Sequence, residues 1–95
     1  MGLRFEWDRR KATWNLHKHG VSFDEASTVF HDPLGRIFNG ENHSGDEWRE
    51  IIIGHSVTSR LLLVLFIERA DNIIRIISAR QTTTREREEY EENYS

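Results

Sequence analysis

The chain has 95 residues, a formal net charge of −3 and no cysteine. This length allows one domain, residues 1–95, around a single hydrophobic core, and the absence of cysteine excludes disulfides and thiolate metal sites. The longest apolar run, residues 61–67, is much shorter than the ~20 residues of a membrane-spanning helix, and charges from the fourth residue onward are unlike a signal peptide. We therefore expect a cytoplasmic protein, and its acidic balance argues against nucleic acid as the only partner.

The first third of the sequence predicts a strand followed by two helices. Residues 3–7 alternate apolar and polar side chains, which is the period of a half-buried strand. Asp8 is suited to be the N-cap of a helix that ends at Gly20, because glycine is frequent just past a helix C-terminus. Ser22 and Glu25 have the spacing of a capping box, so a second helix begins at once and ends before the single proline.

The middle of the sequence predicts strands. A short strand over residues 36–38 is followed by a segment rich in turn-forming residues, 39–46, which predicts a loop. Residues 48–55 alternate in part and form the next strand, and residues 56–59 form a hairpin connection. The continuous apolar run over residues 61–67 predicts a central strand that is covered on both faces.

The last quarter of the sequence predicts a strand that turns into a charged helix. Branched isoleucines over residues 73–77 favour the strand. Thr83 and Glu86 have the spacing of a capping box, which predicts the start of the helix. Arg80 is therefore expected in the turn between the two elements, where a scaffold can hold a side chain at its rim.

The predicted order is β-α-α-β-β-β-β-α, which is typical of an α+β domain. The late strands are expected to form a small antiparallel sheet, a meander, with two N-terminal helices and one C-terminal helix packed against it. Tyr90 and Tyr94 are four residues apart on the last helix, so we expect them to dock it onto the sheet.

Two residues could carry chemistry. The guanidinium of Arg80 could fork onto a phosphate, or it could form a surface ion pair with Glu86, and the sequence favours neither interpretation. His19 could act as a general acid or base because imidazole titrates close to neutral pH, although a lone histidine at a helix end is more often structural. His17 and His19 do not predict a metal site, since zinc-binding helices use histidines four residues apart.

Other polar residues favour structural interpretations. Lys11, Asn15 and Lys18 recur at helical spacing and form one polar stripe, for which we favour a solvated face over a binding surface. His55 shares the parity of the apolar residues of its strand, which predicts an inward-facing, hydrogen-bonded side chain.

Two separated groups of motifs resemble the BrnT family of small toxins. The first group comprises F-x-W-D at residues 5–8, N-x-x-K-H-G-V-x-F at residues 15–23 and D-P at residues 32–33. The second comprises R-I-I-S-A-R at residues 75–80 and E-R-x-x-Y at residues 86–90. The resemblance runs in order over nearly the whole chain.

The resemblance implies the toxin of a type II toxin–antitoxin pair, similar in fold to the RelE ribonucleases and neutralised by a BrnA-like antitoxin. The antitoxin of this family usually carries a DNA-binding domain, so operator DNA is reached only indirectly, through the antitoxin. The expected assembly is a homodimer or a heterotetramer with the antitoxin, without a membrane. The implied reaction is cleavage of RNA by attack of a ribose 2′-OH on the adjacent phosphate, with no metal and no cofactor.

The implied reaction assigns roles to five residues. Negative charge builds up on the phosphate oxygens, and Arg80 is the first choice for the fixed cation that stabilises it, because of its position and the family's I-S-A-R motif. His19 or Lys18 could handle protons or bind phosphate. Arg60 could clamp the RNA backbone from the hairpin, and Tyr90, the tyrosine of the C-terminal signature, could support the site from the last helix.

Candidates for RNA contacts are Lys18, Lys11 and Gln81, the last of which stands where the family commonly has lysine. The rival hypothesis is a non-catalytic interaction module. In that case the last helix gains its stability from an antitoxin, because it lacks a continuous apolar stripe, and its glutamates could attract a basic segment of the partner. A metal-dependent nuclease is the weakest alternative, since no carboxylates cluster with ligand spacing.

Overall fold

The elements follow the order that the sequence predicts. The computed structural model describes residues 2–44 and 47–92, and for residues 39–44 and 47 it describes the backbone alone. The strands are β1 (Arg4–Glu6), β2 (Arg36–Ser44), β3 (Glu47–His55), β4 (Leu61–Ala70) and β5 (Ile73–Gln81). The helices are α1 (Arg9–His19), α2 (Phe23–Thr28) and α3 (Thr84–Glu92), with a 3-10 turn, Val29–His31, after α2.

The boundaries of α1 follow from short-range hydrogen bonds that the sequence indicates. Asp8 is the N-cap, and its carboxylate accepts a hydrogen bond from the Lys11 N–H at 3.0 Å. Gly20 ends the helix in the left-handed region, at φ 70°, and its N–H donates to the Leu16 carbonyl at 2.9 Å. Both predicted ends of α1 are confirmed.

Two capping boxes are predicted, and one of them forms with both of its hydrogen bonds. At α3, the Glu86 N–H donates to Thr83 Oγ1 at 3.1 Å, and the Thr83 N–H donates to Glu86 Oε1 at 2.9 Å. At α2, the Glu25 N–H donates to Ser22 Oγ at 3.0 Å, but the Glu25 carboxylate binds Arg60 instead of returning to the cap. The second helix therefore begins as predicted with half of the expected box.

The five strands form one sheet in the order β1-β5-β4-β3-β2. β2, β3, β4 and β5 pair antiparallel with their neighbours, which confirms the predicted meander. β1 joins the outer edge of β5 in the parallel direction, with Phe5 opposite Ile74. The sheet is therefore mixed and not wholly antiparallel, because the first strand pairs with the last one.

Two boundaries differ from the prediction. The prediction of a loop over residues 39–46 is wrong for the described residues of that segment, because β2 continues through them to Ser44. After an irregularity in the register, His43 pairs with Trp48 of β3. Arg80, expected in the turn after the last strand, lies within β5 and pairs with Leu63. In both places pairing with a neighbouring strand overrides the local preferences of turn-forming and charged residues.

α1 and α2 cover one face of the sheet, here called the helical face. Its buried core comprises Val21, Phe23, Ala26, Val29, Ile52, Leu62, Val64, Phe66, Ile74, Ile76 and Ala79. Trp7 and Phe30 add edge-to-face contacts, with ring centroids 5.9 Å from Phe23 and 4.9 Å from Phe66. Burial of these apolar side chains is the main stabilising contribution to the fold.

The opposite face, here called the open face, receives α3 at one end. Buried or partly buried there are Ile51, Ile53, Leu61, Leu63 and Tyr90. Tyr90 is the buried residue of α3, and its hydroxyl donates to the Leu34 carbonyl at 3.0 Å. The prediction that β4 is covered on both faces is confirmed, whereas Tyr94 lies outside the described residues. Among the described helices, none is long and apolar enough to cross a membrane.

Candidate functional site

Arg80 lies near the end of β5, on the open face. It pairs with Leu63, which belongs to that face, whereas the next residue, Gln81, pairs with Leu62 of the helical face. Pairing with β4 fixes the backbone, and the Arg80 side chain is 38% exposed. The strand therefore holds a partly exposed guanidinium at the margin of the sheet.

A carboxylate from α3 binds this guanidinium through both of its oxygens. Arg80 Nη1 donates to Glu86 Oε1 at 2.8 Å, and Nη2 donates to Glu86 Oε2 at 2.9 Å. The capping box fixes Glu86 in turn, because the Thr83 N–H donates to the same Oε1. The Arg80 guanidinium lowers the pKa of Glu86 to about 2, and Glu86 raises the pKa of Arg80. The ion pair that the sequence allowed is therefore formed.

The ion pair leaves one edge of the Arg80 guanidinium open. Nη1 also donates to the Gln81 carbonyl at 3.2 Å, so three of the five N–H groups of the guanidinium are used. The remaining two, on Nε and Nη2, point to the same side and have no partner in the described part of the chain. This pair of donors is a fork whose geometry matches two oxygens of a phosphate.

Arg60 is bound by Glu25 of α2 and by the carbonyl that follows α1. Its Nε donates to Glu25 Oε2 at 2.9 Å, and its Nη2 donates to Glu25 Oε1 and, at 3.0 Å, to the Gly20 carbonyl. The hydroxyls of Ser56 and Thr58 also donate to Glu25 Oε2, at 2.7 and 2.6 Å. Hydrogen bonds from Arg60 and these hydroxyls outweigh burial and lower the pKa of Glu25 to about 2. The cluster ties the β3–β4 hairpin to α1 and α2.

The other predicted residues do not gather around Arg80. Lys18 and His19 lie at the C-terminal end of α1, where Arg60 binds the next carbonyl, and Lys11 is exposed about two helix turns earlier. Gln81 is exposed and has the parity of the helical face. The predicted set is thus divided between the two sides of one sheet margin.

Asn15 is a residue whose importance the sequence analysis missed. It is 3% exposed, so the prediction of a solvated stripe is wrong at this position. Its Nδ2 donates to the carbonyls of Val21 and Ala79, at 2.9 and 2.8 Å, and its Oδ1 accepts the Ala79 N–H at 3.0 Å. The side chain thereby provides hydrogen-bond partners for the backbone N–H and carbonyl of Ala79 on the outer edge of β5, next to Arg80. Its place in the N-x-x-K-H-G-V-x-F motif is the signal that could have identified it.

His55 was expected to face inward, and this prediction is wrong. Its side chain is 44% exposed, because it is the last residue of β3 and leads into the hairpin. Its Nδ1 lies 3.7 Å from Asp32 Oδ2, and its ring meets that of Tyr90 edge to face at 6.1 Å. A cavity of about 450 Å³ beside it is lined by Thr28, His31, Asp32, His55, Ser56 and Val57.

The polar atoms of this cavity are largely used within the protein. Thr28 Oγ1 accepts the Val57 N–H at 2.9 Å, and Asp32 Oδ2 accepts the His55 N–H at 2.7 Å. Arg80 does not line the cavity. Within the described ranges, no group of three or more His, Asp and Glu side chains is placed to hold a metal ion.

Comparison with known proteins identifies a family. The sequence profile of the family described as "Ribonuclease toxin, BrnT, of type II toxin-antitoxin system" matches residues 7–86. No curated protein sequence matches significantly. The matched span contains Asn15, Arg60 and Arg80 and ends at Glu86, so it includes the whole ion-paired site.

A solved structure supports the fold. The 1.1 Å crystal structure of the Brucella abortus ribonuclease toxin, BrnT, is similar to this chain with a TM-score of 0.66 and 21% sequence identity. The match covers 86% of this chain and 99% of that chain. This likeness confirms the α+β architecture, and the relation to the RelE ribonucleases stays a prediction.

Proposed function

This chain belongs to the BrnT family of ribonuclease toxins of type II toxin–antitoxin systems, and we propose that it is an endoribonuclease that cleaves RNA without a metal ion and so inhibits translation. In the proposed reaction a ribose 2′-hydroxyl loses its proton as its oxygen forms a bond to the adjacent phosphorus, and the bond from phosphorus to the 5′-oxygen breaks as that oxygen takes up a proton. Negative charge develops on the non-bridging oxygens, and fixed hydrogen-bond donors lower the barrier by meeting that charge.

The observation that supports this proposal is the open fork of Arg80. Glu86 binds the end of the guanidinium through two hydrogen bonds, and the Nε and Nη2 donors remain on its side. Because Glu86 offsets the charge of Arg80, the proposed stabilisation comes mainly from two directional hydrogen bonds that are already oriented. Such oriented donors act strongly because they do not reorganise as the charge develops.

Tyr90 acts in this proposal as a positioning residue. Its hydroxyl binds the Leu34 carbonyl, and its ring is the buried contact of α3, so it fixes the helix that carries Glu86. Arg60 has both ends of its fork occupied by Glu25, and we assign it to holding the hairpin rather than to clamping RNA.

Lys18 and His19 lie on the helical side of the sheet margin, whereas Arg80 lies on the open face. An RNA strand that contacts both sides has to pass around this margin, over Gln81. We therefore propose that Lys18, Lys11, Gln81 and His19 bind RNA on the helical side of the margin. His19 lies across the margin from Arg80 and so does not transfer protons at the phosphate that Arg80 binds.

The antitoxin is the second partner that we propose. The family implies an antitoxin, and a BrnA-like protein is our proposal for it. α3 buries Tyr90 alone among its described residues, so it gains little stability from its own sheet and presents a long exposed surface. Docking of the antitoxin on α3 would stabilise the helix and cover the approach to Arg80.

The test of this function is cleavage of RNA by the purified toxin. Arg80→Ala should lower the cleavage rate by about 100-fold or more, since losing an oxyanion donor typically costs about 100- to 1,000-fold, and it should relieve growth inhibition. EDTA should leave the rate of the parent unchanged. Arg85→Ala is the matched control, because it removes the same charge from a side chain that is 88% exposed on α3.

Three results would contradict parts of the proposal. A folded Arg80→Ala protein that cleaves RNA at the parent rate would refute the role of Arg80. Loss of cleavage in EDTA would refute metal independence. If the parent binds the antitoxin but cleaves no RNA in any condition, antitoxin binding would be the only one of the proposed functions that remains.

A further inference from the structure

Arg49 of β3 carries a buried donor that the fold does not use. Its Nε is shielded from solvent, and no atom in the described part of the chain accepts a hydrogen bond from it. A buried, unpartnered donor normally costs free energy, so the Arg49 side chain gains stability if it turns toward an acceptor that a ligand supplies. Arg49 pairs with Ile67 and therefore lies on the open face.

Arg49 is one of two arginines in a row across the open face. Ile67 of β4 pairs with Arg49 on one side and with Arg75 of β5 on the other. With strands ~4.8 Å apart, the two arginine Cα atoms are roughly 10 Å from each other. Ile67 is only 5% exposed, although Tyr90 of α3 packs at the other end of β4 and does not cover it. This burial is consistent with cover of Ile67 by the aliphatic parts of the two arginine side chains.

An exposed aromatic ring lies in the next row toward Arg80. Phe38 pairs with Ile51, Ile51 with Leu65 and Leu65 with Ser78, so these residues cross the open face together. Phe38 is 38% exposed, and the Arg36 guanidinium lies 5.7 Å from its ring centroid. A ring in such a position can stack on a nucleic-acid base whatever the base is.

The two arginines and the ring form a track that leads to Arg80. Leu63, opposite Arg80, and Ile67 are four residues apart in β4, which is roughly 14 Å at ~3.4 Å per residue. Phe38 lies in the row between them. From these placements we propose that the open face binds single-stranded RNA, with Arg49 and Arg75 holding its phosphates and Phe38 stacking on a base, while Arg80 meets the scissile phosphate.

Charge and chemistry favour RNA over a protein strand as the occupant. The open face carries Arg36, Arg49, Arg75 and Arg80. The chain as a whole has a net charge of −3, so these side chains provide a local group of cations for an anionic strand. The carboxylates that bind these arginines, Glu6 at Arg75 and Glu86 at Arg80, leave donors on the guanidinium groups. The inference rests on the proposed ribonuclease function and extends it to the path of the substrate.

The test measures binding of an RNA that cannot be cleaved. A fluorescent single-stranded oligonucleotide with 2′-O-methyl groups throughout has no 2′-OH nucleophile, so binding is measured apart from the reaction. Arg49→Gln/Arg75→Gln should raise its Kd about tenfold and reduce the slope of log Kobs against log salt by about 1.4, at ~0.7 for each phosphate that is no longer neutralised. Thermal unfolding confirms that both proteins are folded.

A matched double variant controls for the loss of charge. Arg85→Gln/Arg87→Gln removes two positive charges from α3, where these side chains are 88% and 47% exposed. It should leave the Kd within twofold of the parent. Phe38→Ala should also raise the Kd, whereas it should leave the salt slope unchanged because the ring binds no phosphate.

Two results would overturn the inference. The first is a Kd and salt slope of Arg49→Gln/Arg75→Gln that equal those of the parent or of the control. The second is unchanged RNA binding with lost binding of the co-purified antitoxin, which would assign the face to the protein partner. Failure of the proposed function would be seen separately, as a parent that binds the methylated probe but does not cleave ordinary RNA.

Discussion

Replacing Asn15 by alanine tests how the site is held. Asn15 makes three buried hydrogen bonds, to the Val21 carbonyl and to both backbone polar groups of Ala79. Ala79 precedes Arg80, so these bonds fix the strand that carries the proposed catalytic guanidinium. Asn15→Ala removes all three at once and leaves their backbone partners buried.

The expected cost follows from these bonds. An intramolecular hydrogen bond contributes about 1 kcal/mol, and a buried group left without a partner costs more, so the total is about 3 kcal/mol. In a domain of this size, each 1 kcal/mol shifts the unfolding midpoint by roughly 4–8 °C. Asn15→Ala should therefore lower the melting temperature by roughly 12–24 °C.

Thermal and urea unfolding measure this loss. Thr13→Ala is the control, because Thr13 lies on the same helix and is exposed, and its hydroxyl binds one carbonyl of the helix itself. Surface changes of this kind usually stay within about 0.5 kcal/mol. This role of Asn15 would be refuted if Asn15→Ala cost less than about 1 kcal/mol of unfolding free energy, or no more than the control.

Three further predictions address the other clusters. The pKa of Glu25 is lowered from 4.5 to about 2, so its ion pair stabilises the fold above about pH 4.5, and this stabilisation is lost as pH falls toward 2. In urea unfolding, the difference in unfolding free energy between the parent and Glu25→Gln should therefore decrease over that pH range. A difference that does not change with pH would contradict this prediction. Tyr90→Phe removes the bond to the Leu34 carbonyl and should cost about 1 kcal/mol, with faster amide exchange in α3, and equal exchange rates would argue against the anchoring role. Arg49→Gln/Arg75→Gln should raise KM for cleavable RNA with kcat near that of the parent, since these contacts are equal in ground and transition states, whereas a loss in kcat alone would place them at the reaction itself.

Features that depend on neighbouring residues were predictable from the sequence. The caps at Asp8, Gly20, Ser22 and Thr83 are set by hydrogen bonds that span three or four residues, and each marks a boundary as predicted. The apolar run of β4 likewise indicated a strand covered on both faces. These signals determined the order of elements and the α+β class.

Features that depend on distant parts of the chain were not predictable in this way. Nothing near β1 indicates that it pairs parallel with β5, and the turn-forming residues of β2 become a strand only because β3 lies beside them. Asn15 looks like part of a solvated stripe until Ala79 is placed next to it. Glu25 has the spacing of a cap, but Arg60, 35 residues later, takes its carboxylate.

The candidate site shows the same division. The sequence offered the pairing of Arg80 with Glu86 as one of two interpretations, because both residues lie within seven residues of chain. The division of the remaining residues between two faces follows from strand parity at Arg80 and Gln81, which depends on the register with β4. The track through Arg49 and Arg75 likewise exists only when three strands are aligned.

The most direct test of the central claim is the single-turnover cleavage rate of Arg80→Lys at saturating RNA, with EDTA present. Lysine keeps the positive charge but cannot bind Glu86 through two parallel bonds and present a second fork to the phosphate. We expect a rate lower than that of the parent by on the order of 100-fold, with RNA binding nearly unchanged. A parent-like rate for Arg80→Lys would contradict this expectation, because charge alone would then suffice at this position.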